Sequence, residues 1–263
     1  MPELPEVEIV RRYLEERALG KRIDSVKVID ASILEGVSTR KLSDALAGKC
    51  FTAARRHGKQ LFLQVDGGFL TAHLGMTGDL ILIESGSPLP RFARAIVGLQ
   101  GGERLVFEDM RKFGAVGFVK STSSLIANKG LGPDVLLVRE KEFLERVRRH
   151  QKAIKTVLLD QRVVAGIGNL YADEALFQSG VHPNASASKL TDGEVEKLCR
   201  NVRRVLKRSI QVRTDFDRLP RTYLLRSWIE GGRCPRGHSS LKSIKVGGRT
   251  TIFCPRCQRP SKG

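Results

Sequence analysis

A chain that opens MPELPEVEIV sets Pro2 directly behind the initiator methionine and follows it with Glu3 and Glu6. Removal of Met1 is expected before so small a residue, and the new terminus would be a secondary amine. Such an amine is either an accident of the start site or a nucleophile. A second group with chemical potential closes the chain. CPRGH at Cys234–His238 is followed, fifteen residues later, by CPRC at Cys254–Cys257. Two turns that each carry two ligands, joined by a short hairpin, describe a zinc ribbon with tetrahedral sulfur and nitrogen ligands. The usual form has four cysteines; here Gly237 stands at the fourth position, and His238 is the nearest replacement. The other reading is a redox pair of Cys254 and Cys257 with His238 incidental. A closed site of this kind is structural, and it would fix the hairpin KSIKVGGRTTIF so that it presents Arg249.

The elements that must position these residues change character along the chain. Pro5 to Leu19 reads as an amphipathic helix, with Val7, Val10, Leu14 and Ala18 on one stripe, Pro5 in the first turn and Gly20 closing the end. From Ile23 to Val119 the pattern is of short β-like runs separated by glycine-bearing turns, as in an antiparallel sandwich or barrel. A shorter helix is expected over Thr39–Leu46. Beyond Leu131–Leu136 the texture becomes helical: Lys141–His150, Lys152–Asp160 and Asn169–Gln178, the last after the break Gly166-Ile167-Gly168. Thr191 and Glu194 form a capping box for a long helix whose buried stripe is Val195, Leu198, Val202, Val205 and Leu206. The fold class expected is α+β: an N-terminal helix plus antiparallel β-sandwich over residues 1–130, a helical domain over 131–228, and a zinc finger over 229–263.

Composition bounds the function. With 41% hydrophobic and 28% charged residues the chain is an ordinary globular one rather than disordered. No stretch approaches the ~18 apolar residues of a membrane span. The N-terminus lacks the order of a signal peptide, so a cytoplasmic protein is expected. Net charge is +18, and it is uneven: residues 139–263 hold 27 basic and 12 acidic residues, the first 138 hold 19 and 16. So basic a second half suits a polyanion, above all nucleic acid, against the alternatives of a solvated basic surface or an acidic membrane. Three of the five cysteines lie in the last thirty residues, which favours a metal over disulfides.

Six pieces in order then carry a resemblance over nearly the whole length: PELPEVE at Pro2–Glu8, RHGKQLF at Arg56–Phe62, AHLGMTG at Ala72–Gly78, DMRKFG at Asp109–Gly114, IKTVLLDQRVVAGIGNLYADEALF at Ile154–Phe177, and GGRTTIFCPRCQ at Gly247–Gln258. The chain resembles the formamidopyrimidine-DNA glycosylase/endonuclease VIII family, and Leu4 places it nearer the first branch. The resemblance implies Pro2 as nucleophile at C1′ of a damaged nucleotide, expelling the base and leaving an iminium. The amine must be neutral to attack; its ordinary pKa is about 8, and the positive end of the following helix favours the uncharged form. Glu3 would supply a proton, and Glu6 would order the site or relay one, although acidic residues also commonly fill a first helical turn. Lys59 would grip a phosphate or the base edge. Asn169, in the helix–two-turn–helix motif, and Arg249 would hold phosphates. Lys155 would be a lesion-side contact and His73 part of the backbone clamp, or simply structural. Met76, Arg111 and Phe113 would fill the hole left by the everted base; read without the family, the two apolar residues are ordinary core.

The implied activity is base-excision repair: a glycosylase and abasic-site lyase acting on double-stranded DNA by β,δ-elimination, with one structural zinc ion on Cys234, His238, Cys254 and Cys257. A monomer is expected. The stretch SIQVRTDFDRLPRTYLLRSWIEGG departs from the family, whose 8-oxoguanine-processing members carry a longer glycine- and threonine-rich lid there. The alternative function is a non-catalytic damaged-DNA-binding protein of the same fold, which would have no need of Pro2, Glu3 and Lys59.

Overall fold

The computed structural model describes residues 2–259; the expected fate of Met1 therefore lies outside the described residues. The chain divides into two compact units, Met1–Gly130 and Leu131–Gly263. Among the described residues no helix is long and apolar enough to cross a membrane.

The first unit begins with α1 (Leu4–Arg17), β1 (Ile23–Val28), β2 (Leu34–Glu35) and α2 (Thr39–Leu46). There follow β3 (Ala53–His57), β4 (Gln60–Val65), β5 (Gly68–His73), β6 (Gly78–Ile83), β7 (Ala93–Leu99), β8 (Arg104–Asp109), β9 (Ala115–Val119) and α3 (Thr122–Asn128). One sheet runs β1-β7-β8-β6 and the other β2-β9-β5-β4-β3. Every pairing is antiparallel except the two-residue β2–β9 pair, which is parallel. Alternating positions such as Leu61, Leu63, Leu70 and Ala72 from one sheet meet Leu80, Val97, Leu105 and Phe107 from the other in one buried cluster. Val7 and Leu14 of α1, its C-cap Ala18, and Leu42 and Leu46 of α2 close that core, as the helical stripe predicts.

Topology brings two connections side by side. The β5–β6 connection leaves the five-stranded sheet for the four-stranded one, and the β8–β9 connection makes the return journey. The pairs His73↔Ala115 and Gly78↔Asp109 bracket both.

The second unit contains α4 (Glu140–Arg148), α5 (Ile154–Leu159), α6 (Asn169–Ser179), α7 (Asp192–Gln211), β10 (Lys242–Val246) and β11 (Arg249–Phe253). Thr191 and Glu194 form the capping box of α7, and all five residues of its expected stripe are buried. Gly180 ends α6 with φ +75°, a left-handed cap that suits glycine. The β10–β11 hairpin turns on Gly247-Gly248, both at positive φ, as a two-residue hairpin turn requires. Phe177, Leu224, Leu241 and Ile252 pack around Cys234 and Cys254, so the cysteine module shares a core with α6.

Candidate active site and nucleic-acid interface

Pro2 is half-buried and directly precedes Glu3, the N-cap of α1. Glu3 is 1% exposed, so a carboxyl group stands out of water beside the proline. A reciprocal capping box holds it: the Glu3 side chain accepts from the Glu6 N–H, and the Glu3 N–H reaches Glu6 Oε2 at 2.9 Å. Glu6 therefore orders the backbone at Glu3. One turn further along α1, Glu8 accepts from Arg56 Nε of β3 at 3.1 Å, and Arg56 Nη1 donates to Gly58 O at 2.8 Å. That bridge ties α1 to the Gly58-Lys59 turn joining β3 to β4. Burial alone would raise the Glu8 pKa, but donors from Arg11, Arg12 and Arg56 hold it below the usual range.

Lys59 precedes Gln60, which pairs with His73 across β4 and β5. Burial lowers the His73 pKa, and Lys129 and Lys59 lower it further. Its Nδ1 accepts from the Gly75 N–H at 3.1 Å. The ring is thus neutral near pH 7, with its remaining proton on Nε2.

The two adjacent connections hold Met76 on one side and Arg111 and Phe113 on the other. Phe113 is 57% exposed, far from the core residue its type suggests, and the Arg111 guanidinium lies 4.9 Å from its ring centre. Asp109 organises both loops. Fully buried, it accepts from Thr77 Oγ1 at 2.5 Å, from the Arg111 N–H at 3.1 Å and from the Gly114 N–H at 2.7 Å. Burial works to raise its pKa; these donors win and hold it below the usual value. Thr77 Oγ1 in turn accepts from the Arg111 N–H at 3.0 Å. Gly75, at φ +58°, permits the contact of the two loops: a Cβ there would lie 2.4 Å from Gly114 N and from Phe113 C.

In the second unit, Gln161 builds the turn ahead of α6. Its Oε1 accepts from the Gly166 N–H at 2.9 Å, and its Nε2 donates to Leu159 O at 3.0 Å and Ile167 O at 2.9 Å. Asn169 follows as the first residue of α6, beside the helix's unbonded N–H groups. Its Nδ2 donates to Thr250 O at 3.0 Å, leaving one amide hydrogen for a further acceptor. Arg249 is exposed just past the hairpin turn. Lys155 corrects the expectation of a lesion-side contact. It is 0% exposed, 2.6 Å from Asp173 Oδ1, and donates to Thr251 Oγ1 at 2.7 Å and Thr250 O at 3.1 Å. With its ammonium group spent inside the unit, Lys155 fastens the hairpin to α5 and α6.

All five thiols are free. The sulfurs of Cys234, Cys254 and Cys257 lie within 4.8 Å of one another, and Cys234 and Cys257 are 3.7 Å apart. Tetrahedral Zn–S bonds of about 2.3 Å put ligand sulfurs roughly 3.8 Å apart, so this donor set fits a metal of that size. His238 approaches from outside the three-sulfur group, its Nδ1 3.0 Å from Cys257 Sγ. Burial raises the Cys257 thiol to about 12, and hydrogen bonds to neighbouring thiols reinforce this. At Cys254 burial is outweighed by the Ser239 hydroxyl and two backbone N–H groups, and its pKa falls to about 7.

Thr77, Asp109, Gln161, Asp173 and Glu174 are functional residues that no signal in the sequence singles out. Each lies inside a quoted motif, yet all but Gln161 act on partners distant in sequence. Asp173 Oδ2 accepts from the Trp228 indole N–H and the Ile252 N–H, both at 3.0 Å. Glu174, fully buried, accepts from the Leu225 N–H at 2.8 Å.

Comparison with known proteins agrees with this geometry. Residues 1–116 match the formamidopyrimidine-DNA glycosylase N-terminal domain, and residues 131–218 match the formamidopyrimidine-DNA glycosylase H2TH domain. The formamidopyrimidine-DNA glycosylase of Geobacter metallireducens is 38% identical over 269 residues, covering 98% of this chain and all of the relative. That of Carboxydothermus hydrogenoformans is 36% identical over 279 residues, with the same coverage. The Lactococcus lactis enzyme bound non-covalently to abasic-site DNA superposes with a TM-score of 0.88 at 29% identity, over 98% of this chain and all of that one. MutM in complex with DNA containing carbocyclic 8-oxo-G gives 0.89 at 32% identity, with the same coverage. Over this length and with these two matched domains, the chain belongs to the formamidopyrimidine-DNA glycosylase family.

Proposed function

We propose that the protein is a bifunctional DNA glycosylase and abasic-site lyase of base-excision repair, acting on duplex DNA that carries oxidised bases or abasic sites. The observation that carries the reading is the head of α1: Pro2 stands immediately before a buried Glu3 at the positive end of a fourteen-residue helix. Once Met1 is removed, the neutral Pro2 amine attacks C1′. The N–C1′ bond forms as the bond to the base breaks, and the base leaves with the electron pair and a proton from Glu3. The Glu3 carboxylate takes the proton from the new ammonium and passes it to O4′ as the C1′–O4′ bond opens, and the iminium so formed acidifies C2′–H. Loss of that proton breaks the C3′–O bond, and a second elimination breaks C5′–O, leaving phosphate on both DNA ends. Glu6 keeps Glu3 in place, and the Arg56 bridge steadies the turn that offers Lys59 to the lesion.

Met76, Arg111 and Phe113 occupy the space vacated by the extruded nucleotide. An exposed aromatic ring backed by a guanidinium suits that task, because exposure costs stability in the free protein and is relieved against bases. His73 donates from Nε2 to a backbone phosphate as a neutral group, and Asn169 and Arg249 hold others. A zinc ion held by Cys234, Cys254 and Cys257, with His238 as fourth ligand, supplies a structural cross-link that keeps the Arg249 hairpin in shape.

Residues 212–228 bear on lesion preference as a compact segment bonded within itself and to α6: Asp215 caps a short helical turn at Phe216–Arg218, Arg226 donates to Leu219 O at 2.9 Å and to Asp217 O, and the Leu225 N–H and the Trp228 indole N–H donate to Glu174 and Asp173. We infer that this compact segment favours formamidopyrimidines and abasic sites over 8-oxoguanine. Incision of matched duplexes carrying each lesion tests both statements: the reading expects phosphate at both new ends and fastest cutting at abasic sites and formamidopyrimidines. Release of base without strand cleavage, or no product, contradicts it.

A further inference from the structure

Apart from the residues assigned above, the C-terminal unit carries a basic groove of about 530 Å³ at the end of α4 and along α5. Arg146, Arg149, His150, Lys152 and Arg162 line it around Thr156, and Asp160 lies among them. Two of these cations are already matched. Asp160 grips Arg162 through Nε and Nη2, each at 2.9 Å, and Glu142 holds Arg146 Nε at 2.9 Å. Arg149 and Lys152 are exposed and enter no ion pair with a described residue. Four permanent cations therefore face two carboxylates.

The segment that carries the unmatched pair is pinned. Gln151 O accepts from the Ser186 hydroxyl at 3.0 Å, Lys152 O from the Ala187 N–H at 3.0 Å, and the Ile154 N–H reaches Ala185 O at 2.7 Å. A concave, positively charged surface on fixed backbone concentrates anions. Its neighbour indicates which anion. A Cβ added at Gly247, in the hairpin turn, would lie 2.8 Å from Thr156 Oγ1, so the groove runs up to the hairpin that bears Arg249.

We infer that this groove binds phosphate groups, namely backbone phosphates of duplex DNA beyond those held by Asn169 and Arg249. The inference rests on the DNA-binding part of the reading above and is independent of the chemistry at Pro2. Its test compares the full chain with Arg149→Gln/Lys152→Gln, both with metal in place, on abasic-analogue duplexes lengthened stepwise on either side of the lesion. Wild-type affinity should rise at a defined length on one side. The variant should lack that rise, bind the longest duplex about tenfold more weakly, and show a salt dependence of log Kd shallower by about two. Because both residues are exposed, the variant's thermal midpoint should match wild type.

A second arm adds inorganic triphosphate. Triphosphate that stabilises wild type and not the variant, with no length-dependent gain, would overturn the DNA assignment and leave the groove to a free polyphosphate. Equal affinities, equal salt slopes and no response to triphosphate overturn the proposal altogether. A wild-type chain that binds no duplex sinks the DNA reading and the proposal with it, a result the length series separates from failure of the groove alone.

Discussion

The Asp109 carboxylate accepts from Thr77, Arg111 and Gly114, groups that belong to both loops crossing between the sheets. In Asp109→Asn an amide donor must face at least one of those donors, and the expected cost is ~2–3 kcal/mol in urea unfolding, with weaker binding to abasic-site duplexes. A folded pKa below the ordinary value means that this stability is present above pH 3.8 and is lost as pH falls through the folded value; the variant should lack that acid-side loss. Glu174 carries the opposite sign. Burial raises its carboxyl to about 7 from an ordinary 4.5, so its contribution is fully present below 4.5 and lost as pH rises through 7. Unfolding of the C-terminal unit at about pH 8 should be easier than at about pH 5 by on the order of 2–3 kcal/mol from this group, and Glu174→Gln should flatten the profile. An unchanged profile in the variant would assign the dependence elsewhere. Neither role was legible beforehand: the Thr77–Asp109 bond spans 32 residues and the Glu174–Leu225 bond 51, and no local spacing announces either. The placement of Lys155 is hidden for the same reason, since besides Asp173 on α6 its partners Thr250 and Thr251 sit on a strand 95 and 96 residues away.

Elements with their own punctuation were read well. Thr39–Leu46 matches α2 at both ends, and the α7 capping box is where Thr191 and Glu194 place it. α3 was missed because TSSLIAN buries only Leu125 and offers no stripe, and β2 is too short to show alternation. The cysteine hairpin depends on two fasteners, and each can be removed. Lys155→Ala leaves Asp173 buried without its cation and should cost ~3–5 kcal/mol; Lys155→Met with Asp173→Leu should recover part of this, because the Asp173 acceptors for Ile252 and Trp228 are lost together with the charge. Calorimetry of the three proteins checks the order, and a double variant less stable than Lys155→Ala would contradict it. Metal analysis should find one zinc per chain, and its removal by a chelator should lower DNA affinity while leaving the β-sandwich signature of the first unit in circular dichroism. Full affinity without metal would show that the ion does not shape the hairpin.

At the scale of the whole molecule, charge and motif order pointed to a nucleic-acid enzyme because both are properties of sequence alone. A charge of +18 identifies a polyanion without locating where it binds; six motifs in order identify the family without revealing that Asp109, Gln161 and Lys155 hold the motifs in shape. The proposed chemistry converges on the amine of Pro2. Borohydride trapping on an abasic-site duplex, with the cross-linked peptide sequenced by mass spectrometry, addresses that amine directly. A covalent adduct is expected on Pro2 of a chain that has lost Met1, with its loss or severe weakening in Pro2→Gly. An adduct on Lys59, or trapping undiminished by Pro2→Gly, would contradict it.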